Sequence, residues 1–490
     1  MKVKNGVYSF KYIWLIIGGM LMSVYNANSV FAAAWLAPLF MLRFTRTTAG
    51  KRFIIALPVI MISHAVLMYG PFSHSAIPPL FRIIFGLICG SIIFIPFLID
   101  RLAFKKIDGF ISTLVFPAAW VSLEFLISKV SPISTFGVIG YTQFGNLQLM
   151  QLSSVTGIWG ISFIIIWTAS VVNWVWEREF NFERIKNGII VFASILVLII
   201  LGGELRLRNQ ETVKSVKVSA SSSAYGIDPE MHITIMRDAF KNGNYPTYEK
   251  NIKAIDELLG TSAINGSEIV FWQEYALFVG DKDEEKITSY AMRKAAEKKI
   301  CLGLPMGIVK KNGLKYSIEN TVTWISPDGK VLARYTKSYT APWEMSANPY
   351  KKVSIFKTGS GTAATVICFD MDFPWLIRQA GNNNAELMLV PSYDWRGISP
   401  FHSHMAVFRA VENGFSLVRP AGENGVSISS DAYGRVYSLL DNRSSRDRVM
   451  TVDLPLKHVK TIYSLTGDLF AWLSIAGLIV LAGMAIIKKN

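Results

Sequence analysis

Three residues of different chemistry stand at the ends of apolar, strand-like runs. Glu274 closes Ile269-Val270-Phe271-Trp272-Gln273, Lys337 follows Val331-Leu332-Ala333-Arg334-Tyr335-Thr336, and Cys368 closes Thr365-Val366-Ile367. A thiolate attacks a carbonyl carbon and forms a thioester, which divides acyl transfer into two easier steps. A free cysteine has a pKa of about 8.5 and is mostly neutral near pH 7, so it needs a base or a positive neighbour. Glu274 supplies a base, and Lys337 a cation for the thiolate and for the oxyanion of a tetrahedral intermediate. Each residue taken alone is ordinary: a strand-end Glu or Lys is usually a surface charge, and a strand-end Cys is usually core.

The elements that must hold these groups are legible as an alternation of strands and helices. Strands are expected at Val213–Ala220, Ile269–Trp272, Leu302–Val309, Thr321–Ile325, Val331–Tyr335, Ala363–Cys368, Leu387–Pro391, Ser416–Arg419, Val426–Ser429 and Val449–Val452. Helices are expected at Pro246–Leu259, Lys286–Lys299, Pro374–Ala380 and Phe401–Asn413, with turns at Lys311-Asn312-Gly313 and Pro327-Asp328-Gly329. Such alternation predicts a layered α/β domain, whose strand ends are where loops shape a crevice.

Hydrophobic segments bracket this block. The chain has 490 residues, of which 51% are hydrophobic, and its mean hydropathy is +0.34. Stretches of the roughly 17–25 residues needed to cross hydrocarbon as a helix lie near 9–26, 27–43, 53–71, 78–99, 109–128, 155–176, 187–203 and 468–487. The expected organisation is a membrane domain of seven transmembrane helices over 1–203, a folded domain over 204–466 and a closing helix over 467–490. The N-terminal segment has no convincing small-residue cleavage site and is expected to be a retained helix.

Charge supports the same division. Net charge is +15, but residues 1–203 and 467–490 carry 17 Lys/Arg against 7 Asp/Glu, and residues 204–466 carry 33 against 28. The middle block is therefore not a strongly basic nucleic-acid binder. Bases cluster at alternate helix ends, at Lys2, Lys4 and Lys11, then Arg43 to Arg52, then Arg101 to Lys106, then Arg178 to Lys186, and at Lys488 and Lys489. The positive-inside bias makes those ends cytoplasmic and places 204–466 outside. Glu124, inside the fifth span, is expected to face the protein interior, with Arg82 as its partner.

Of three cysteines, Cys89 and Cys301 sit in apolar runs and are expected to be packing residues. His402 and His404 lack the carboxylate or cysteine cluster of a metal site and are expected to serve helix start or packing.

The motifs Trp272-Gln273-Glu274, Tyr335-Thr336-Lys337 and Ile367-Cys368-Phe369-Asp370 together resemble those of the nitrilase, or carbon-nitrogen hydrolase, superfamily. Trp120-Val121-Ser122-Leu123-Glu124, Phe136 to Gln143 and Gly157 to Phe163 resemble the bacterial apolipoprotein N-acyltransferase family within it, as does His404 to Gly414 followed by Leu417-Val418-Arg419. The resemblance implies a polytopic α-helical membrane domain with a nitrilase-like αββα sandwich on the extracytoplasmic side of the bacterial cytoplasmic membrane. It implies a phospholipid as acyl donor and a diacylglyceryl-modified lipoprotein as acceptor, without metal or cofactor.

By the same resemblance Glu274 is the base, Lys337 the stabiliser of the tetrahedral intermediate and Cys368 the nucleophile. Glu344, one residue closer to the lysine than the family places it, would orient Lys337; Trp343, Tyr275, Phe369, Asp370 and Trp395 would support the site or bind substrate. The sequence departs from the family at Phe369-Asp370, where Tyr-Glu is usual, along Ser219 to Ile227, and at Pro391 to Gly397. Those departures bear on donor and acceptor identity. Two alternatives stand beside acyl transfer: an amidase in which water resolves the acyl-enzyme, and an inactive lipid-binding scaffold, which the retained Glu, Lys and Cys disfavour.

Overall fold

The computed structural model describes residues 4–25, 30–74, 77–208, 213–224, 229–312, 315–340, 351–445 and 447–487. The chain divides into two compact units, Met1–Asn209 with Thr466–Asn490, and Gln210–Leu465.

The first unit is helical. Among the described residues six helices are long and apolar enough to cross a membrane: Gly50–Tyr69, Pro79–Ala103, Phe110–Val130, Ile158–Glu177, Phe182–Arg208 and Leu469–Ile487. Two further apolar helices, Lys4–Met22 and Phe31–Thr47, precede them. Small residues set how closely they pack. A Cβ on Gly86 would lie 2.5 Å from the Cα of Ala65, and one on Gly90 would lie 2.5 Å from the Cα of Met61. Two glycines four residues apart on one helix face thus admit a neighbouring backbone, the small-xxx-small device that replaces hydrophobic driving force between membrane helices.

Buried charge in this unit is paired. Arg46 donates through Nε to Asp100 Oδ2 at 2.8 Å and through Nη2 to Asp100 Oδ1 at 2.7 Å and Ser170 Oγ at 3.0 Å. Asp468, just before the last helix, accepts from Lys129 Nζ at 2.8 Å and Trp159 Nε1 at 2.9 Å. Glu124 is buried as expected, but its partner is the backbone N–H of Ile139 at 3.0 Å. Arg82 instead donates to the carbonyls of His74 and Ile77: a loop folded over the helix reaches the carboxylate before a side chain from another span can. Cys89 is half-buried, while Cys301 is buried.

The second unit is an αββα sandwich. Its strands are β1 (Ser215–Ser221), β2 (Ile269–Trp272), β3 (Leu277–Gly280), β4 (Cys301–Asn312), β5 (Lys315–Ile325), β6 (Val331–Thr336), β7 (Ser354–Lys357), β8 (Thr362–Thr365), β9 (Leu387–Leu389), β10 (Ser392–Asp394), β11 (Ser416–Arg419), β12 (Ala421–Glu423), β13 (Val426–Ser430), β14 (Val436–Asp441) and β15 (Val449–Pro455). One sheet runs β15-β1-β2-β4-β5-β6, with β3 also on β4, and the other runs β14-β13-β11-β9-β8-β7. The sheets meet through aromatic packing: Trp324 of β5 stacks on Phe356 of β7 with ring centroids 5.3 Å apart.

Helices cover the outer faces because their apolar residues recur at helical spacing. Ile255, Leu258 and Leu259 of helix Tyr248–Gly260 and Ile287, Ala291 and Ala295 of helix Glu284–Lys298 are buried with Val270, Trp272, Leu302 and Leu304 of the first sheet. Helices Pro374–Asn382 and Phe401–Asn413 lie with the second sheet. The run expected as one strand from Ala363 to Cys368 pairs only as far as Thr365, and Cys368 instead opens the 3-10 turn Cys368–Asp372.

Candidate active site

β2 and β6 belong to one sheet and β8 to the other, and the segments that follow them converge. Glu274 lies two residues past β2, and its N–H donates to the carbonyl of Ser392 in β10 at 3.3 Å. Lys337 follows β6 directly, its N–H held by the carbonyl of Asn320 in β5 at 2.9 Å. From there Lys337 Nζ donates to Glu274 Oε1 at 2.8 Å, and both side chains are buried. Asn320 Nδ2 donates to the same oxygen at 2.6 Å. One residue of β5 thereby fixes the base through its side chain and the lysine through its backbone.

Cys368 enters from the opposite sheet. Its φ is +46°, left-handed for a residue with a side chain, a conformation that costs energy and collects at functional sites. Its N–H is held by the carbonyl of Pro391 at 2.9 Å, and Sγ lies 3.7 Å from the carbonyl of Tyr393 and 3.9 Å from Asp394 Oδ1. Burial and then the charge of Glu274 push its pKa well above the usual thiol value, against the pull of Lys337. The structure therefore brings Glu274, Lys337 and Cys368 into one neighbourhood.

Asp370 binds the two sides together. Its carboxylate accepts from the N–H groups of Ile367 at 3.1 Å, Ser338 at 3.1 Å and Tyr339 at 2.7 Å, and from the Tyr335 hydroxyl at 2.8 Å. Those donors flank Cys368 on one side and Lys337 on the other, so a single carboxylate ties the segment that carries the sulfur to the segment that carries the ammonium. Burial lifts its pKa to about 7, against the stabilising hydrogen bonds.

A second cluster adjoins the sulfur. Arg419, the last residue of β11, donates to Asp394 Oδ2 at 2.7 Å and Oδ1 at 2.9 Å. His402 reaches Asp394 Oδ1 through Nδ1 at 2.8 Å and Asp372 Oδ1 through Nε2 at 2.9 Å. Burial opposes charge on both Asp394 and His402, yet Arg419 and His402 hold the Asp394 carboxyl well below the usual range, and Asp372 with Asp394 raises His402 to about 9. Cys368, Asp394 and His402 offer donor atoms within 4.8 Å of one another. A cation there would have to displace the Arg419 guanidinium, so the group reads as an ion network.

The remaining expected residues divide. Tyr275 is buried at φ +56° and stacks on Phe278. Phe369 is half-buried against Phe373, its ring 5.3 Å away, and Trp395 is half-buried. Trp343 and Glu344 lie outside the described residues. His402 corrects its expected packing role, because both ring nitrogens carry charged hydrogen bonds; His404 is buried, and burial lowers its pKa to about 4.

Asn320, Asp372, Asp394 and Arg419 were not singled out from sequence. Arg419 carried the signal that found the others: a charge ending the apolar run Ser416-Leu417-Val418. A local glycine completes the approach of the Asp394 segment. A Cβ on Gly422, the partner of Tyr393 across β10 and β12, would fall 2.8 Å from the Tyr393 ring and 2.9 Å from Gln273 Cγ.

Comparison with known proteins adds the following. Residues 17–171 match a family described as apolipoprotein N-acyltransferase N-terminal domain, and residues 238–463 match carbon-nitrogen hydrolase. An apolipoprotein N-acyltransferase of Geobacter metallireducens is 25% identical over 518 residues, which cover 98% of this chain and 96% of its own. Another of that name, from Rickettsia typhi, is 26% identical over 360 residues, 67% of each chain. Among solved structures, the NitN amidase from Neterenkonia sp. AN1 aligns with 49% of this chain and 93% of its own at 19% identity and a TM-score of 0.38.

Proposed function

Because this chain belongs to the apolipoprotein N-acyltransferase family of the nitrilase superfamily, we propose that it moves a fatty acyl chain from a phospholipid, through a thioester on Cys368, to the N-terminal amine of a diacylglyceryl-modified lipoprotein. Glu274 takes the thiol proton as Sγ attacks the ester carbonyl, and the oxyanion that forms is met by the Lys337 ammonium. Such a donor contributes roughly 2.7–4 kcal/mol in acyl-transfer enzymes. The ester C–O bond then breaks, Glu274 returns the proton to the departing lysophospholipid oxygen, and the acyl chain remains on sulfur. In the second half the lipoprotein amine attacks the thioester. An α-amine has a pKa of about 7.7–8.0, so part of it is neutral and nucleophilic near neutral pH. Glu274 accepts its proton and passes it to the leaving sulfur, which restores the starting state.

The observation that carries this reading is the buried 2.8 Å contact between Lys337 Nζ and Glu274 Oε1 beside a thiol whose charge environment includes both. Residues 1–203 are read as seven spans, with Lys4–Met22 and Phe31–Thr47 as the first two, 204–466 as the extracytoplasmic catalytic domain and 467–490 as a closing span of the bacterial inner membrane. Glu344 is read as the carboxylate that orients Lys337, with Trp343, Tyr275, Phe369 and Trp395 on the substrate side. The amidase alternative accounts only for residues 238–463 and leaves the match at 17–171 without a purpose.

Incubating the purified full chain with acyl-labelled phospholipid tests the reading. Label is expected on Cys368, and then on the amine of an added diacylglyceryl peptide. Release of the label only as free fatty acid would replace acyl transfer with hydrolysis.

A further inference from the structure

An aromatic group stands on the segments that carry the sulfur and the ammonium. Tyr339, two residues past Lys337, stacks on Phe373 with ring centroids 3.5 Å apart, and Phe369, next to Cys368, meets Phe373 at 5.3 Å with the rings nearly perpendicular. Trp375 lies across both Tyr339 and Phe373, and its Nε1–H donates to the Tyr339 hydroxyl oxygen at 2.8 Å. The Tyr339 ring also carries an ammonium, with Lys351 Nζ 5.1 Å from its centroid. We propose that Lys351 and the Tyr339 hydroxyl hold the phosphate of the phospholipid donor, with the stacked rings as the wall of that site. The inference deepens the acyl-transfer reading and rests on it.

Helix Pro374–Asn382 fixes both donors. Trp375 and Gln379 are four residues apart and so lie on one face of it. Trp375 holds the hydroxyl of Tyr339, while Gln379 holds the backbone that carries the lysine: its Nε2 donates to the Lys351 carbonyl at 3.0 Å, and its Oε1 accepts from the Val353 N–H at 3.1 Å. The Tyr339 backbone is held as well, by an N–H that donates to Asp370 Oδ1 at 2.7 Å. Lys351 is thereby an exposed lysine on a fixed root, beside a half-buried ring. Packing accounts for Phe373, which is buried, but not for a hydroxyl and an ammonium brought to one ring.

Both polar tips suit an oxyanion. An ammonium binds phosphate as a point charge, and a hydroxyl whose oxygen already accepts a hydrogen bond donates more strongly through its own hydrogen. A phosphodiester offers acceptors and negative charge, which match the two donors; an acyl chain would use the rings and neither tip. The scale agrees. Tyr339 Cα is at most about 7 Å from Lys337 Cα along the chain, and glycerol sets a phosphate at a similar distance from its ester carbonyls. A phosphate held here leaves those carbonyls within reach of the segments that carry Lys337 and Cys368.

Protection of Cys368 from iodoacetamide, followed at its peptide by mass spectrometry of the full chain in detergent, reads this site without requiring transfer. The probe is an ether-linked phosphatidylglycerol, which has no acyl ester to give up. It should slow alkylation of the parent chain, and its half-protecting concentration should rise about tenfold in Lys351→Met and roughly three- to tenfold in Tyr339→Phe, as expected for hydrogen bonds to a charged group. Lys351→Arg keeps the charge and should stay within about threefold of the parent. The matching dialkylglycerol, which lacks phosphate, should protect the parent about tenfold less well, and inorganic phosphate alone should give no protection. The phosphate site is overturned by no protection of the parent, by equal protection from the dialkylglycerol, by protection from inorganic phosphate alone, or by an unchanged half-protecting concentration in either variant that melts as a folded protein. Failure of the acyl-transfer reading looks different: an ester phospholipid would leave no acyl adduct on Cys368, while protection by the ether lipid still depended on Lys351.

Discussion

Each unit of this protein hides an ion pair from solvent, and the two pairs are built differently. In the membrane unit Arg46 meets Asp100 with two parallel hydrogen bonds and gives a third to Ser170, while its guanidinium lies over the Phe104 ring, 4.6 Å from the centroid. With Glu177 Oε1 3.7 Å from Nη1, these contacts join helices Phe31–Thr47, Pro79–Ala103 and Ile158–Glu177. In the second unit Lys337 Nζ meets Glu274 Oε1 at 2.8 Å, with a thiol in the electrostatic reach of both. Arginine gives fixed, planar, doubly bonded pairing, whereas lysine is a mobile point charge. The first pair is arranged to stay as it is; the second holds a lysine, whose ammonium can follow a change of charge beside it.

The largest effect that can break this comparison is on activity. Lys337→Met should lower acyl transfer by about 10²–10³-fold, the usual consequence of losing an oxyanion donor. It should also destabilise the domain, because Glu274 loses its buried counter-charge. Adding Glu274→Gln should recover most of the melting temperature and none of the activity. If the double variant regained transfer, the pair would be structural after all.

Next comes the membrane pair, where the outcome should be the reverse. Arg46→Met strands the Asp100 carboxylate in an apolar interior and should cost about 3–5 kcal/mol of stability. Combining it with Asp100→Leu should restore folding, since apolar replacements of whole buried pairs are often neutral or better. Transfer per folded molecule should stay at the parent level, measured with labelled phospholipid after correction for the folded fraction. A folded double variant with lost activity would give the membrane pair a chemical role.

A smaller effect separates the units by pH. His402 is raised from 6.5 to about 9 in the folded state, so its contribution is fully present below about 6.5 and is lost as pH rises through about 9, amounting to about 3 kcal/mol at most. Asp370, lifted from 3.8 to about 7, acts with the same sign at lower pH. Thermal melts across this range should show an alkaline loss of stability that His402→Gln removes and that the Arg46→Met/Asp100→Leu chain retains. An alkaline loss that persisted in His402→Gln would place the titrating group elsewhere.

These contrasts also show what was legible beforehand. Ile269–Trp272, Phe401–Asn413 and Ser416–Arg419 were expected with the bounds they have, because each is a continuous apolar or helically periodic run stopped by a charge or a glycine. Glu274 and Lys337 were legible for the same reason. Leu277–Gly280, Ser392–Asp394 and Ala421–Glu423 were not: strands of three or four residues exist through partners distant in sequence, such as β12 beside β10. The overextended strand before Cys368 has a related cause. Val366 and Ile367 are buried like strand residues, but the left-handed turn at Cys368 takes the chain out of the ladder. Asp370, Asp394, His402 and Arg419 become a site only when both sheets and their loops are in place, and their spacing along the chain says little about that.

The finest distinction uses one hydrogen bond from each pair. Ser170 accepts from Arg46 Nη2 at 3.0 Å, and Asn320 donates to Glu274 Oε1 at 2.6 Å. Removing either leaves its ion pair in place, and the loss to folding should be similar, about 0.5–1.5 kcal/mol for a net hydrogen bond and up to about 3 kcal/mol where the remaining group is charged. The consequences for rate should differ. Ser170→Ala should shift the melting temperature alone, since the Arg46 fork is already fixed by two bonds to Asp100. Asn320→Ala removes one of the hydrogen bonds that fix the Glu274 carboxylate, and small displacements of a catalytic group are costly. Transfer should fall by roughly tenfold with little change in the apparent affinity for phospholipid. Asn320→Asp provides the internal control: it keeps the volume but sets a second carboxylate against Glu274, raising the pKa of the base and moving the acidic limb of the pH–rate profile upward. Equal rate effects from Ser170→Ala and Asn320→Ala would mean that hydrogen bonds to buried pairs matter here only through folding, and the distinction between the two pairs would fall.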